Sequence, residues 1–482
     1  MVNDPMSDLF PLLRQPPERD AISIGRTVAT YRELAGAAGE AARELAGARR
    51  VAIVATPTLA TIVGALGALA AGAAIVPLNP SSPQPEIEHI LADSCPDAVI
   101  DSGAALPPSL SNCRRVRPQP GRADYVDDGA DDPERTALIL YTSGTTGRPK
   151  GVQIPRRAIA TNIDALRETW RWSDSDRLAH TLPLFHVHGL VLGIFGPLRI
   201  GGYVEHAGSF SPEALAGAAE RGATMIFGVP TMYHRIADAC EQHEATAAAF
   251  ARPRVLVSGS AGLPAYEHRR MTILTGQEIV ERYGMTETLM NTSVCVDDEH
   301  RPGYVGRPLP GVELLLIDDD GNVIESSDDE TFGEILIRGA NLFNGYLNQD
   351  DATAEAMADG WFKTGDLATR AADGYIRIVG RRAADLIKSG GFKIGAGEIE
   401  AALLEHPAIA EVAVAGMPDN DLGERVVAWI VARHEQTPTS AELMTHVSTL
   451  LASHKRPREF RFVESLPRNA LGKVIKKDLV GT

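Results

Sequence analysis

Cysteine is scarce in this sequence. Its four residues, Cys95, Cys113, Cys240 and Cys295, are scattered through 482 positions with no C-x-x-C pair. That excludes a disulfide framework and a zinc site of ordinary spacing, and it fits a reducing, cytoplasmic setting. Positive charge is also in deficit: 47 Lys and Arg stand against 63 Asp and Glu, for a net charge of −16. Nucleic acid and anionic membrane are therefore unsuitable partners, and any anionic substrate has to be held by local cations. Met1-Val-Asn-Asp-Pro5 carries an acidic residue and no apolar h-region, so no signal peptide is expected. Internal repeats are missing. One run without charge, Ala60 to Leu78, is long enough to span a bilayer. It is mostly Ala and Gly, however, and ends in Val76-Pro-Leu-Asn-Pro80. Val51 to Val54 before it reads as a strand, and Thr56-Pro57 as a helix start with Thr at the cap. A strand, a buried helix and a second strand describe the segment better than a membrane span.

What is present reads as a soluble α/β protein of two or more domains. Ala21 to Ile24, Gly25-Arg26 and Thr27 to Ala29 form a hairpin pattern, and Thr30-Tyr-Arg-Glu33 is a capping box opening an Ala-rich helix. Strand and helix signals alternate to about residue 280, which predicts largely parallel sheets. Ser211-Pro212 opens a helix that stops near Gly222, and Thr224 to Phe227 follows as a strand. Asp127 to Glu134 reads as a solvated acidic connection. After Pro310 short β segments take over, including Glu313 to Ile317, Gly333 to Ile337 and Gly374 to Val379, as a β subdomain. A small α/β unit follows, with helices at Glu398–Glu405 and Ser440–Ala452. These divide the chain into a body, residues 1–380, and a lid, residues 381–482.

The chemistry centres on Tyr141-Thr-Ser-Gly-Thr-Thr-Gly-Arg-Pro-Lys-Gly151, which follows the apolar strand Ala137 to Leu140. Thr142, Ser143, Thr145 and Thr146 offer hydroxyls, Gly144 and Gly147 let backbone N–H groups approach an anion, and Arg148 and Lys150 add charge. This is the make-up of a phosphate-cradling loop. It is not a Walker A loop, because Lys150 is followed by Gly and the G-x-x-x-x-G-K-[ST] spacing is absent.

The loop resembles the signature of the adenylate-forming superfamily, which includes acyl-CoA synthetases, luciferases and peptide-synthetase adenylation domains. The family's later motifs recur in order along nearly the whole chain. The resemblance implies a large N-terminal domain of αβ layers with a β subdomain, a small mobile C-terminal lid, and ATP, Mg²⁺ and coenzyme A as ligands. In Tyr283-Gly-Met-Thr-Glu-Thr288 it implies that Thr286 touches the α-phosphate and that Glu287, with Thr146, helps to hold Mg²⁺. Tyr283 and Gly284 lie against the adenine, with Glu281 and Arg282 in the same nucleotide-binding stretch, and Ser258, Gly259 and Ser260 seat the base. Asp366, in Trp361-Phe-Lys-Thr-Gly-Asp366, binds the ribose hydroxyls, for which a carboxylate is the natural acceptor. Pro467-Arg-Asn-Ala-Leu-Gly-Lys473 carries the catalytic lysine, whose ammonium neutralises charge developing at the α-phosphorus. The hinge stretch Gly380-Arg-Arg-Ala-Ala-Asp385 has one residue more than the family's G-R-x-x-D, with Ala384 at the hinge place. It leaves open whether Arg381 or Arg382 contacts the ribose. Lys388, Gly390 and Gly391 resemble the stretch beside which pantetheine passes.

The acyl pocket of the family corresponds here to Leu182–Leu190, Gly228–Arg235 and the surroundings of Met285. His186 and His188 stand beside it with Val187, and His186 gates the site as the similar histidine does in relatives. Met285, Met290 and Ser258 complete the wall. Pro230-Thr-Met-Tyr-His-Arg235 brings a guanidinium, which a fatty-acid pocket cannot use, because a buried unpaired charge costs several kcal/mol. Arg235 makes sense if the substrate has a second carboxylate. Together H-x-H-G-L, V-P-T-M-Y-x-R and Y-G-M-T-E-T-x-M-N look closest to malonyl-CoA synthetases. The expected activity is ATP-dependent ligation of malonate, and of methylmalonate, to coenzyme A by a cytoplasmic monomer or homodimer. The rivals are a synthetase for a monocarboxylic acid, an adenylation protein loading a carrier protein, and a catalytically dead adenylate sensor.

Overall fold

The computed structural model describes residues 8–25, 27–111, 113–121, 124–127, 132–142, 149–382, 385–433, 437–468 and 474–480. Four sheets organise these residues. In the first, Arg114–Val116, Ala98–Ile100, Arg50–Val54, Ala74–Leu78 and Thr136–Thr142 run parallel, and Lys150–Pro155 closes one edge antiparallel to Thr136–Thr142. The second has nine strands. Its centre is the parallel set Ile279–Met285, Val255–Ser258, Met225–Gly228, Arg177–His180, Tyr203–His206 and Asp20–Ile24. Parallel strands buried on both faces need continuous apolar sequence, and Val255 to Val257 and Met225 to Phe227 supply it.

A third, antiparallel sheet holds Val312–Ile317, Phe332–Gly339 and Trp361–Arg370, with Ile376–Arg381 paired beside the last. The fourth pairs Leu386–Ser389, Phe392–Gly395, Ile409–Asp419, Gly423–Ala432 and Glu459–Phe462. It packs on the helices Ala396–Leu404 and Ser440–Leu450 around a core of its own, including Ile387, Ile399, Leu403, Val414, Ile430 and Val447.

Local signals explain most element boundaries. Thr30 caps Tyr31–Glu44 through the reciprocal box with Glu33, and Thr439 caps Ser440–Leu450 with Glu442 in the same way. Ser211 caps Pro212–Glu220 by accepting from the Ala214 N–H. The charge-free run resolves into the helix Leu59–Ala70 and the strand Ala74–Leu78. Among the described residues no helix is long and apolar enough to cross a membrane. The helix begins two residues later than Thr56-Pro57 suggested, because Thr58 is the cap and accepts from the Thr61 N–H. Its small residues have a purpose. A Cβ on Gly67 would come within 2.6 Å of the Ala41 Cβ, so two helices meet there at a distance only glycine permits.

The expectation of a solvated connection over 127–134 holds at the exposed Asp132 and Glu134 and fails at Asp127, while 128–131 lie outside the described residues. Asp127 is not solvated: its carboxylate is buried against the Arg156 guanidinium, itself fully buried and also bonded to the Leu69 carbonyl at 3.1 Å. A charge withdrawn from water has to be paired, and Arg156 on a neighbouring helix provides the partner.

Candidate active site

The strands Arg177–His180, Met225–Gly228, Val255–Ser258 and Ile279–Met285 end at one edge, where an open α/β sheet leaves a crevice for ligands. Alternation along Ile279–Met285 then sorts its side chains by face. Glu281 and Tyr283 point one way and Arg282 the other. Tyr283 donates its hydroxyl to Asp366 Oδ2 at 2.6 Å, and Arg381 Nε lies 3.2 Å from Asp366 Oδ1. Burial and the Asp366 charge hold the Tyr283 phenol well above its usual range, so it stays a donor. Asp366 and Arg381 are register partners in adjacent antiparallel strands. Arg382 turns away, to Glu334 and Asp319 at 2.5 Å each. Of the two arginines, Arg381 therefore reaches the carboxylate assigned to the ribose.

On the opposite side, Thr142 and Lys150 are register partners at the mouth of the hairpin Thr136–Thr142/Lys150–Pro155. Ser143, Gly144, Thr145, Thr146 and Gly147, which join them, lie outside the described residues, as do Arg148, Ala384 and Lys473. Helix Gln84–Ser94 holds both feet of this hairpin mouth. Asp93 accepts from the Tyr141 hydroxyl at 2.7 Å, and His89 Nε2 lies 2.9 Å from the Pro149 carbonyl. The Lys150 ammonium sits 4.7 Å over the Tyr346 ring, whose hydroxyl donates to Glu287 Oε1 at 3.0 Å. Lys150, Tyr346 and Glu287 thus form one chain, next to the half-buried Thr286. Burial raises the Glu287 carboxyl above its ordinary value. A buried carboxylate beside the phosphate loop, with lone pairs beyond the one that Tyr346 fills, suits a hard divalent cation, so the residues present fit Mg²⁺.

The third wall is formed by the residues expected to face the acid. His188 to Phe195 is a π-helix, an arrangement that recurs at functional sites. At its start His188 is buried, its Nδ1 3.4 Å from the Ser260 hydroxyl and its Nε2 without a partner among the described residues. Val187 and Met290 are buried, Met285 half-buried, and the His186 ring packs on Phe185 at 4.5 Å. Arg282 completes the wall. It is 5% exposed, and Nε and Nη2 have no hydrogen-bond partner among the described residues. Burial alone brings its pKa down to about 10. The guanidinium lies over Gly259, where an added Cβ would stand 2.1 Å from its Cζ.

Arg235, expected on this wall, is exposed in the structure. The helix Pro230–Gln242 presents Arg235 to solvent, because that helix buries Met232, Tyr233 and Ile236 instead. The buried guanidinium on this side is that of Arg282. Glu281, on the same strand face as Tyr283, accepts from the Gly303 N–H at 3.0 Å; burial pushes its carboxyl up to about 8. Ser258 is buried, with a hydroxyl that finds no partner among the described residues.

Residues 12–347 match the family described as AMP-binding enzyme, and residues 398–473 match the AMP-binding enzyme C-terminal domain. The chain belongs to the AMP-binding enzyme family. A malonate–CoA ligase of Arabidopsis thaliana is 36% identical over 482 residues, covering 89% of this chain and 77% of the relative. Among solved structures, a malonyl-CoA ligase with methylmalonyl-CoA and AMP bound is 54% identical, with a TM-score of 0.75 over 95% of this chain and 100% of that one. ATP-bound MatB from Rhodopseudomonas palustris is 33% identical, with a TM-score of 0.89 over 100% of this chain and 99% of that one. The architecture is the adenylate-forming enzyme fold, with a large N-terminal and a small C-terminal part.

In this AMP-binding enzyme Gly390 and Gly391 make the two-residue turn between Leu386–Ser389 and Phe392–Gly395. Their φ values of +59° and +83° both require the left-handed region, as a type I′ turn does. Lys388 on the first strand is exposed. Sequence reasoning missed three features near these residues: the burial of Arg282 beside His188, Tyr346 as the link between Lys150 and Glu287, and the burial of Lys476. The Lys476 ammonium lies 2.5 Å from Asp385 and 2.7 Å from Glu400, and Asp385 also accepts from the Arg381 N–H at 2.9 Å. The three lysines at 473, 476 and 477 look alike in sequence; only burial separates Lys476 from a solvated tail.

Proposed function

We propose that this enzyme joins malonate, and also methylmalonate, to coenzyme A through an acyl-adenylate, releasing AMP and pyrophosphate. The observation that carries the reading is the buried Arg282 guanidinium on the acyl side, with Nε and Nη2 unpaired beside the His188 imidazole. A charge in that position costs several kcal/mol unless the substrate supplies its counter-ion, and a second carboxylate does so with two parallel hydrogen bonds. The names of the relatives support the same acid. A monocarboxylic acid would leave Arg282 charged, buried and unmatched.

In the first half-reaction one malonate oxygen attacks the α-phosphorus of ATP and the bond to pyrophosphate breaks. Thr286 and the loop of residues 143–148 hold phosphate oxygens, and Lys473 neutralises the charge that develops. Asp366, aimed by Arg381 and Tyr283, takes the ribose hydroxyls. Glu287 and Thr146 would hold Mg²⁺, which supplies charge neutralisation on the phosphates. In the second half-reaction the thiol sulfur of coenzyme A attacks the acyl carbon, its proton leaves to solvent, and AMP departs. We place the boundary between body and lid at Gly380/Arg381, next to Asp385, supported by the separate core that begins at Ile387. Pantetheine passes beside Gly390 and Gly391.

The test is pyrophosphate release and CoA-thioester formation with malonate, methylmalonate, succinate, acetate, butyrate and octanoate. Malonate should lead, with methylmalonate next. Leadership by a monocarboxylate would end the dicarboxylate reading, and adenylation without CoA-dependent product would favour carrier-protein loading.

A further inference from the structure

Two fully buried histidines behind the acyl wall have no part in the reaction as described. His180 and His206 end the adjacent parallel strands Arg177–His180 and Tyr203–His206 as register partners, their rings edge-to-face at 4.8 Å. Both close on one residue. His180 Nδ1 accepts the Leu182 N–H at 3.1 Å, and His206 Nε2 lies 3.1 Å from the Leu182 carbonyl, while His206 Nδ1 accepts the Gly208 N–H at 3.2 Å. With both Nδ1 atoms accepting, the ring protons sit on Nε2 and both imidazoles are neutral.

Leu182 begins the segment that leads to His186 and His188, and its backbone is pressed against the π-helix. At Gly189 an added Cβ would meet the Pro183 oxygen at 2.1 Å and the Leu182 oxygen at 3.0 Å; at Gly193 it would meet His180 Nε2 at 2.7 Å. The π-helix is therefore supported at two points, indirectly at Gly189 and directly at Gly193. Interiors packed this tightly transmit displacement rather than absorb it.

We propose that His180 and His206 are positioning residues for acyl-substrate recognition, setting where His188 meets the acid by clamping the Leu182 backbone from both sides. This rests on the reading of the His186–Met290 wall as the acyl pocket. Neither histidine touches substrate, so loss of the clamp alters binding of the acid and leaves the nucleotide side, built on Tyr283, Asp366 and Arg381, as it was.

The experiment compares His206→Met, which removes the donor to the Leu182 carbonyl, with His206→Gln, which keeps an N–H there. Steady-state constants are measured with the acid that the wild-type enzyme prefers. The Met variant should raise KM for the acid about tenfold, equivalent to about 1.4 kcal/mol, with KM for ATP within about twofold of wild type. The Gln variant should recover most of the loss. A Met variant whose KM for the acid is unchanged, or whose acid and ATP constants rise together, overturns the proposal, as does a Gln variant no better than Met. Should His206→Met fail to fold, His180→Gln against His180→Asn decides, since Asn keeps the acceptor near Nδ1 and Gln does not. Failure of the underlying reading shows separately: the wild type would then prefer a monocarboxylate, or form no CoA thioester with any acid of the panel.

Discussion

Replacing Arg282 by Met separates stability from function in opposite directions. The guanidinium is fully desolvated and its pKa falls from the ordinary arginine value to about 10. Both folded and unfolded states are charged at pH 7 to 8, so the whole penalty is present there. At 1.36 kcal/mol per unit it amounts to about 3 kcal/mol, less about 1 kcal/mol for the smaller volume that Met fills. The ligand-free variant should therefore unfold at a denaturant concentration no lower than wild type, and up to about 2 kcal/mol higher in stability. Its malonate kcat/KM should meanwhile fall about 10²- to 10⁴-fold, the range for losing a buried bidentate ion pair. The assays are chemical unfolding and CoA-thioester formation, run on the same preparations. A variant that is less stable by 2 kcal/mol or more and keeps malonate activity within about threefold would refute the reasoning.

Three further outcomes follow from the same geometry. Gly259→Ala should act like a partial loss of Arg282, because the new Cβ occupies the guanidinium's place; malonate kcat/KM should drop at least about tenfold while KM for ATP changes less, and an equal rise in both would contradict this. Lys473→Ala should abolish pyrophosphate release from ATP yet largely spare thioester formation from supplied malonyl-AMP, checked by assaying the two half-reactions separately. Glu281 titrates at about 8 when folded against 4.5 when exposed, so the folded state holds the extra proton between those values. Stability should fall as pH rises through that window, by up to about 5 kcal/mol, and level off above it. Subtracting the unfolding profile of Glu281→Gln isolates this slope; identical profiles for the two proteins would show that Glu281 does not cause it.

The sequence made the nucleotide side legible because its chemistry is local. Hydroxyls, glycines and cations crowd into residues 142–151, and T-G-D and Y-G-M-T-E-T carry their carboxylates within short contiguous motifs. Caps at Thr30 and Ser211 were legible for the same reason, since a cap depends on residues three or four positions apart. The acid side was not. Arg235 and Arg282 both lie near the pocket in sequence, but which of them is buried depends on which face of a helix or strand meets the core. On Ile279–Met285 a shift of one residue would have exchanged Arg282 with Glu281 or Tyr283. Register is set by neighbouring strands, not by the segment itself. The same applies to Asp127, whose partner Arg156 is 29 residues away, and to Lys476, whose burial against Asp385 and Glu400 no run of charges reveals. Arg381 was separated from Arg382 only by its pairing opposite Asp366.

The most direct test of the second-carboxylate grip is the ratio of kcat/KM for malonate to that for monomethyl malonate in the wild-type enzyme. The ester keeps the reacting carboxylate and the chain length but removes the charge meant for Arg282. A ratio of about 10² or more is predicted from the cost of leaving that guanidinium unpaired. A ratio near one would mean that Arg282 does not read the distal carboxylate.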